Sequence, residues 1–320
     1  MDALAAIAAQ ARPLQRRVLF AEPADPRVQQ AIAALLEQQL AVPLVVADYP
    51  QRPAGCELLS ARSDWSQLQQ QAVEQLQRLN PVKQWSRDQA AELAAEPLTL
   101  AALLTSLGVA DAAVAGSVAT TPEVIRAGLR GVGLAANSGL VSSSFLMQHP
   151  DWVLSFGDCG VNPEPNSDQL AQIAIDTART HRLLTGQTPR IALLSFSTLG
   201  SANHPSVSKV REATALVKTL AANIDPSWQV AGEVQADVAL VAAVAAQKAP
   251  QLALAGDANV LIFPDLNAGN IGYKLVERLA GAKAIGPLLQ GFARPWIDLS
   301  RGCSSADIAA AAIIAALMAK

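Results

Sequence analysis

Short apolar runs rich in Val, Ile or Leu alternate along this chain with longer stretches of helical period. That alternation restricts the fold to the α/β class with mostly parallel sheets. Strands are predicted at residues 17–20, 43–47, 112–115, 152–156, 190–196, 259–263 and 284–289. Helices are predicted at 26–38, 98–107, 122–129, 168–184, 206–220, 236–247, 271–280 and 305–318, several opening on Ser, Asp or Pro as capping chemistry prefers. Between Arg52 and Trp65 the periodicity fails, and a mixture of Pro, Gly, Cys and Ser indicates an irregular surface segment.

A chain of 320 residues exceeds a usual single core, which predicts two lobes and a cleft. Loops concentrate near Asn137 to Gly139, the best candidate for a border. The final helix is apolar on nearly all sides and must be buried, packing back onto the first domain as a discontinuous element. The expected division is 1–138 plus 291–320 for the first domain and 139–290 for the second.

Composition narrows the function. With 24 Lys plus Arg against 27 Asp plus Glu, the net charge of −3 offers no general field for a polyanion, so nucleic acid is not expected and anionic ligands need locally placed Arg. Cys56, Cys159 and Cys303 lie far apart without a CxxC pair, which argues against a disulfide framework or zinc site and fits reduced thiols in a cytosol. The N-terminal segment carries Asp2 and lacks a basic start followed by an apolar run, so no export signal is expected. The stretch from Ile308 to Met318 falls short of the roughly 20 residues that cross a bilayer, which argues against a membrane span. A cytoplasmic protein is expected.

Polar loops follow several predicted strands, where open α/β sheets bind ligands. The loop from Ser195 to Lys209 supplies hydroxyls, Gly200 and a helix beginning near Pro205, a combination suited to phosphate through backbone amides and the helix dipole. Fifteen residues so rich in Ser and Thr exceed what a connector needs. The segment from Phe263 to Lys274 runs through Asn267, Gly269 and Asn270 into a helix; it is either an anion or acyl site, or a turn held by Asp265 and Asn267. Asp158, in a rigid strand exit, is read as scaffold.

The segment from Asp298 to Ala309, DLSRGCSSADIA, brings an arginine and a carboxylate beside glycine and small residues just before a helix. Acyl transfer from an acyl phosphate to a thiol needs a base for the thiol proton and a cation for the developing oxyanion; Asp307 and Arg301 have those chemistries. Ser304 followed three residues later by Asp307 also satisfies a capping-box variant, and spacing alone favours that reading. The GxGxxG-like letters from Gly131 to Ala136 follow a helix rather than a strand and are set aside. Ser206 to Lys209 fits a serine-acylase spacing without its companion signatures. His149, His181 and His204 have no metal partners at useful spacing, and Cys303, with no paired His, is read as a bystander.

These same segments carry a family resemblance. VLIFPDLNAGNIGYKLVERLAGAKAIGPLLQG and DLSRGCSSADI resemble the phosphate acetyltransferase family, as do ADAAVAGSVATTPEVIRAGL, VSSSFLM, DCGVNPEP and LSFSTLGSANHPSVSKVREA. The match spans nearly the whole chain from RVLFAEPADPRV onward. The resemblance implies two α/β/α three-layer domains with an active-site cleft between them, a homodimer, and coenzyme A as substrate with no tightly bound cofactor and no metal. It implies that Asp307 takes the thiol proton of coenzyme A, whose thiolate attacks acetyl phosphate directly in a ternary complex. Arg301 would stabilise charge on the carbonyl or phosphate, Ser300 would hydrogen-bond the tetrahedral intermediate, and Arg126 would hold phosphate. Further substrate contacts are expected from Ser197, Thr198, Gly200, Ser201, Asn267, Asn270 and Tyr273. For Asp307 the resemblance favours the base over the capping box that spacing alone suggests.

One departure matters. Where relatives show a Leu-Arg-Lys-His-Lys-Gly type stretch, this chain reads LQRLNPVKQ from Leu76, and Arg78 is taken as the counterpart, with Lys83 or Arg87 available to compensate. Competing readings are an acyltransferase for propionyl or butyryl groups, a non-catalytic acetyl-coenzyme A sensor like the domains attached to malic enzymes, and, from fold analogy, a two-domain hydroxy-acid dehydrogenase. The last would need a metal-binding carboxylate cluster that the sequence does not display.

Overall fold

The computed structural model describes residues 3–319. After α1 (Ala3–Ala11) the chain enters β1 (Arg17–Phe20), α2 (Pro26–Glu37), β2 (Val42–Val45) and β3 (Glu57–Leu58), then α3 (Trp65–Leu79), α4 (Arg87–Ala95), α5 (Pro97–Ser106), β4 (Ala112–Ala115) and α6 (Thr121–Gly131). A second series follows: β5 (Ser142–Gln148), β6 (Val153–Gly157), α7 (Ser167–Thr185), β7 (Arg190–Leu194), α8 (Pro205–Ile224), β8 (Gln229–Val234), α9 (Ala236–Leu240), α10 (Ala242–Lys248), β9 (Val260–Ile262), α11 (Leu266–Ala280) and β10 (Lys283–Gln290). The chain closes with β11 (Trp296–Asp298) and α12 (Ser305–Met318).

Two compact units result among the described residues: 4–137 with 292–319, and 138–291 with Ala3. In the first, the strand order is β11-β4-β1-β2-β3, every pair parallel. Helices α2 and α12 cover one face, while α5, on the other, carries α6 and α3. The last helix is buried as its composition demands: Ile308, Ile313, Ile314 and a run of Ala pack inside. Trp296 on β11 is fully buried, donates its indole N–H to Val124 O at 2.9 Å, and fits because Gly128 on α6 leaves room for the ring.

In the second unit the order is β10-β5-β6-β9-β7-β8. The β6, β9, β7 and β8 neighbours are parallel, whereas β5 runs antiparallel to both β10 and β6. Period-two alternation divides the core: Ile191, Leu193, Val260 and Ile262 face α7 and α8, and Ala192, Leu194 and Leu261 belong to the cluster on the opposite side.

Some expectations are corrected. The segment read as irregular contains β3 and a 3-10 turn at Leu59–Ala61. The helix expected at 236–247 is two short helices broken at Val241. Helix α11 begins at Leu266, so Asn267 and Asn270 lie on a helix and not in a loop.

Candidate active site

The segment after β11 holds Arg301 and Asp307, two of the charged candidates in the first unit. Asp298 ends that strand, 2% exposed, and Leu299 N donates to Ala115 O at 2.7 Å. Ser300, Arg301 and Gly302 then form an exposed turn, closed where Cys303 N donates to Ser300 O at 2.9 Å and Gly302 N to Ser300 Oγ at 3.3 Å. The capping box at the start of α12 is complete. Ser304 Oγ accepts from Asp307 N at 3.2 Å, while Asp307 Oδ2 accepts from Ser304 N at 3.0 Å and Ser304 Oγ at 2.8 Å. Both readings of Asp307 are thereby compatible: the cap occupies Oδ2, and Oδ1 of this exposed carboxylate accepts nothing from the described residues.

Arg126 is exposed on α6. The carboxyl of Glu123, on the same helix, is held below its usual range first by the Thr120 hydroxyl, then by Thr120 N–H, with Arg126 and Arg301 adding to the effect. Two candidate cations therefore act on one carboxylate. Arg78 stands exposed in the last turn of α3. Among the described residues, the side chains of Arg78, Arg126 and Arg301 make no hydrogen bond or ion pair, so three guanidinium forks are open to anions.

Two carboxylates, half-buried Glu22 and buried Asp298, shape the floor beneath the turn. Glu22 Oε2 accepts from Gly116 N at 2.6 Å, Ser117 N at 2.7 Å and Ser117 Oγ at 3.1 Å, and Oε1 accepts from Val118 N at 3.1 Å and Ala119 N at 2.7 Å. The loop leading into α6 is thus wrapped around one side chain. Burial pushes the carboxyl of Asp298 up to about 7, opposed by the Thr121 hydroxyl and reinforced by Glu22. Gly116 sits at φ +101, and a Cβ there would stand 2.5 Å from Asp298 Oδ1 and 2.8 Å from Leu299 O, so only glycine fits. Cys303 is buried, and its thiol is pushed above the usual value, chiefly by burial.

The second unit holds the other candidates. In the loop after β7, Ser197 is buried; its Oγ donates to Glu233 Oε1 at 3.2 Å, lies 3.2 Å from Ser201 Oγ and accepts from Ala202 N at 3.1 Å. Thr198 Oγ1 accepts from Gln235 N at 3.0 Å. These hydroxyls hold the loop itself, leaving Gly200 and Ser201 on its exposed side. Glu233 also accepts from Gly200 N at 2.7 Å and pairs with Arg211 at 3.2 Å; burial raises its carboxyl, but Arg211 and Gly200 N–H outweigh it, and the carboxyl lies below its usual range. His204 Nδ1 accepts from Ser206 N at 3.2 Å and caps α8.

On α11, Asp265 caps the helix by accepting from Ala268 N at 2.9 Å. Asn267 is exposed; Asn270 Nδ2 donates to Cys159 O at 3.1 Å and its Oδ1 accepts from Lys274 at 2.8 Å. The Tyr273 ring stacks on Phe145 at 4.2 Å. Asp158 is scaffold: it accepts from Ser143 N and Oγ, Gly160 N, Val161 N and Asn162 N. Among the described residues no group of three or more His, Cys, Asp or Glu is placed to hold a metal ion, and no helix is long and apolar enough to cross a membrane.

Sequence reasoning missed Glu22, Asp298 and Glu233. The available signal was position: Glu22 and Asp298 stand at or just beyond the carboxyl end of a strand, where a charged residue needs a reason.

Two α/β units on parallel-rich sheets, with an exposed Arg/Ser turn running into a capped helix, place the chain among the phosphotransacetylases by structure. It is similar to EutD phosphotransacetylase from Staphylococcus aureus (TM-score 0.91, 34% identity, 100% of this chain and 98% of the other). It is also similar to a phosphotransacetylase from Streptococcus pyogenes (TM-score 0.88, 32% identity, 99% and 98%). A phosphate acetyltransferase from Paracoccus denitrificans is 41% identical over 317 residues, 97% of each chain. The chain belongs to the phosphate acetyl/butaryl transferase family, whose model matches residues 3–316.

Proposed function

We propose that this protein is a phosphate acetyltransferase that moves an acetyl group reversibly between coenzyme A and inorganic phosphate. The observation that carries the reading is the exposed turn and cap from Ser300 to Asp307, where an unpaired guanidinium precedes the buried α12 and a half-engaged carboxylate lies in its first turn. Asp307 takes the proton from the thiol of coenzyme A, and the thiolate sulfur attacks the carbonyl carbon of acetyl phosphate. Ser300 donates to the oxygen of the tetrahedral intermediate, and Arg301 offsets the charge that develops there. The C–O bond to phosphate then breaks, phosphate departs with the proton held by Asp307, and acetyl-coenzyme A remains. Coenzyme A and phosphate are substrates, and no tightly bound cofactor enters.

Arg126 and Arg78 bind phosphate groups of the substrates through bidentate bonds. In the second unit, Gly200, Ser201, Asn267, Asn270 and Tyr273 contribute substrate contacts, with Ser197 and Thr198 shaping the loop. A homodimer belongs to the same reading, supported by an exposed apolar stripe on α11 formed by Ile271 (57%), Leu275 (52%) and Leu279 (82%) at successive turns. Three free cysteines, all buried, favour a reducing cytoplasm.

The test is acetyl-coenzyme A formation from acetyl phosphate and coenzyme A by purified protein, beside Asp307→Asn, with propionyl and butyryl phosphates as rival substrates. Turnover fastest with acetyl phosphate and lost in the variant supports the reading. Wild-type protein that binds acetyl-coenzyme A without turnover overturns it.

A further inference from the structure

We infer that Arg27 is a positioning residue for the turn that carries Ser300 and Arg301, an inference that rests on the function proposed above. Arg27 is the second residue of α2, and its guanidinium is locked against the cap of its own helix. Asp25 Oδ1 accepts from Arg27 N at 2.9 Å and Nε at 3.2 Å, and Asp25 Oδ2 accepts from Nη2 at 2.7 Å. The remaining donors point away from the helix. Nη1 donates to Arg301 O at 2.7 Å and to Cys303 O at 2.9 Å, and Nη2 donates to Ser117 O at 2.7 Å. One planar cation thus joins the segments that follow β1, β4 and β11.

The two carbonyls that accept from Nη1 bracket Gly302, inside the exposed turn. Apart from Ser300 within the turn itself, no other side chain among the described residues bonds to the backbone of residues 301–303. The direction in which Arg301 leaves the backbone is therefore set by Arg27. A guanidinium does this where an ammonium does not, because its donors form a rigid fork that meets a carboxylate on one side and carbonyls on the other. Asp25 is 8% exposed and holds the fork in orientation by accepting from Nε and Nη2. A cation aimed at an oxyanion acts mainly in the transition state, so a shift of its base affects turnover before substrate binding.

The experiment compares wild type with Arg27→Lys and Arg27→Ala by steady-state kinetics, by amide hydrogen exchange of the peptide covering residues 299–306, and by thermal midpoint. For Arg27→Lys we expect a folded protein with kcat lowered at least about 30-fold, KM for coenzyme A and acetyl phosphate within about threefold, and faster exchange in that peptide. For Arg27→Ala, guanidinium ion at non-denaturing concentration should restore part of kcat where equal sodium chloride does not. Wild-type kcat in Arg27→Lys, or lost kcat with unchanged exchange of 299–306, overturns the inference. An inactive wild type would sink the proposed function instead, and the exchange comparison would still decide whether Arg27 holds the turn. If Arg27→Lys does not fold, Asp25→Asn releases the opposite edge of the same guanidinium; faster exchange of 299–306 supports the inference and unchanged exchange overturns it.

Discussion

Thr121 Oγ1 donates to Asp298 Oδ2 at 2.5 Å, so the first turn of the helix that carries Arg126 is fastened to the strand that leads into Ser300 and Arg301. Asp298 is buried, Thr121 is half-buried, and Asp298 Oδ1 has no partner among the described residues. An ionised carboxylate in that position is costly.

The consequence is a pH dependence of stability. With its carboxyl at about 7 in the folded chain and 3.8 as its ordinary value, Asp298 keeps a proton that the unfolded chain releases between those limits. Stability from this group is full below the lower limit and is lost as pH rises towards 7, by roughly 4 kcal/mol at most. Asp298→Asn, which cannot ionise, should gain stability relative to wild type between about pH 4 and about pH 8. Thermal midpoints across that range check this; a difference independent of pH would show that Asp298 ionises normally.

Capping and proton transfer at the start of α12 are separable. Ser304→Ala removes the hydroxyl that accepts from Asp307 N and should cost about 0.5–2 kcal/mol while leaving a working base. Asp307→Asn preserves an acceptor for Ser304 N and should fold normally, yet lose about 10²–10⁴ in kcat. Initial rates and thermal midpoints of the two variants should therefore rank in opposite order.

In the second unit, Glu233→Gln leaves the loop after β7 with a neutral acceptor for Gly200 N and no partner charge for Arg211. A loss of about 1–3 kcal/mol in urea unfolding is expected. Substrate KM should also rise, because the exposed side of that loop includes Gly200 and Ser201. Unaltered KM would remove the loop from substrate binding.

Charge on the apolar stripe of α11 tests assembly. Leu275→Lys with Leu279→Lys should convert a dimer into a monomer in sedimentation without unfolding it, since both side chains are exposed in the chain described. A doubly substituted protein that still sediments as a dimer would place the interface elsewhere.

Strands β1 and β4 are legible in the sequence because their apolar residues are contiguous and face the core. Strand β5 is not, because its serines look like loop. In the fold Ser142 and Ser144 are buried against Gln290, whose amide also meets Thr177 and Thr180. A buried polar seam of this kind carries no hydrophobic period. Helix α3 hides for a related reason: its buried face of Leu68, Ala72, Gln75 and Leu76 is diluted by glutamines. At the site, the turn around Arg301 stands out because opposite charges meet among small residues before a helix. The roles of Glu22 and Arg27 depend on partners more than ninety positions away and cannot be seen locally.

Because β11 and α12 return to the sheet begun by β1, the first unit is a garment whose last button lies at the far end of the thread. During synthesis β4 must wait for its outer neighbour until the intervening unit has been made, a delay of roughly 10–30 s at ordinary ribosomal speed. The strands of the second unit all lie between Ser138 and Gly291 and are available earlier. Arg27, made near the start, meets the carbonyls of Arg301 and Cys303 only near the end, so the turn around Arg301 is among the last parts of the protein to acquire its form.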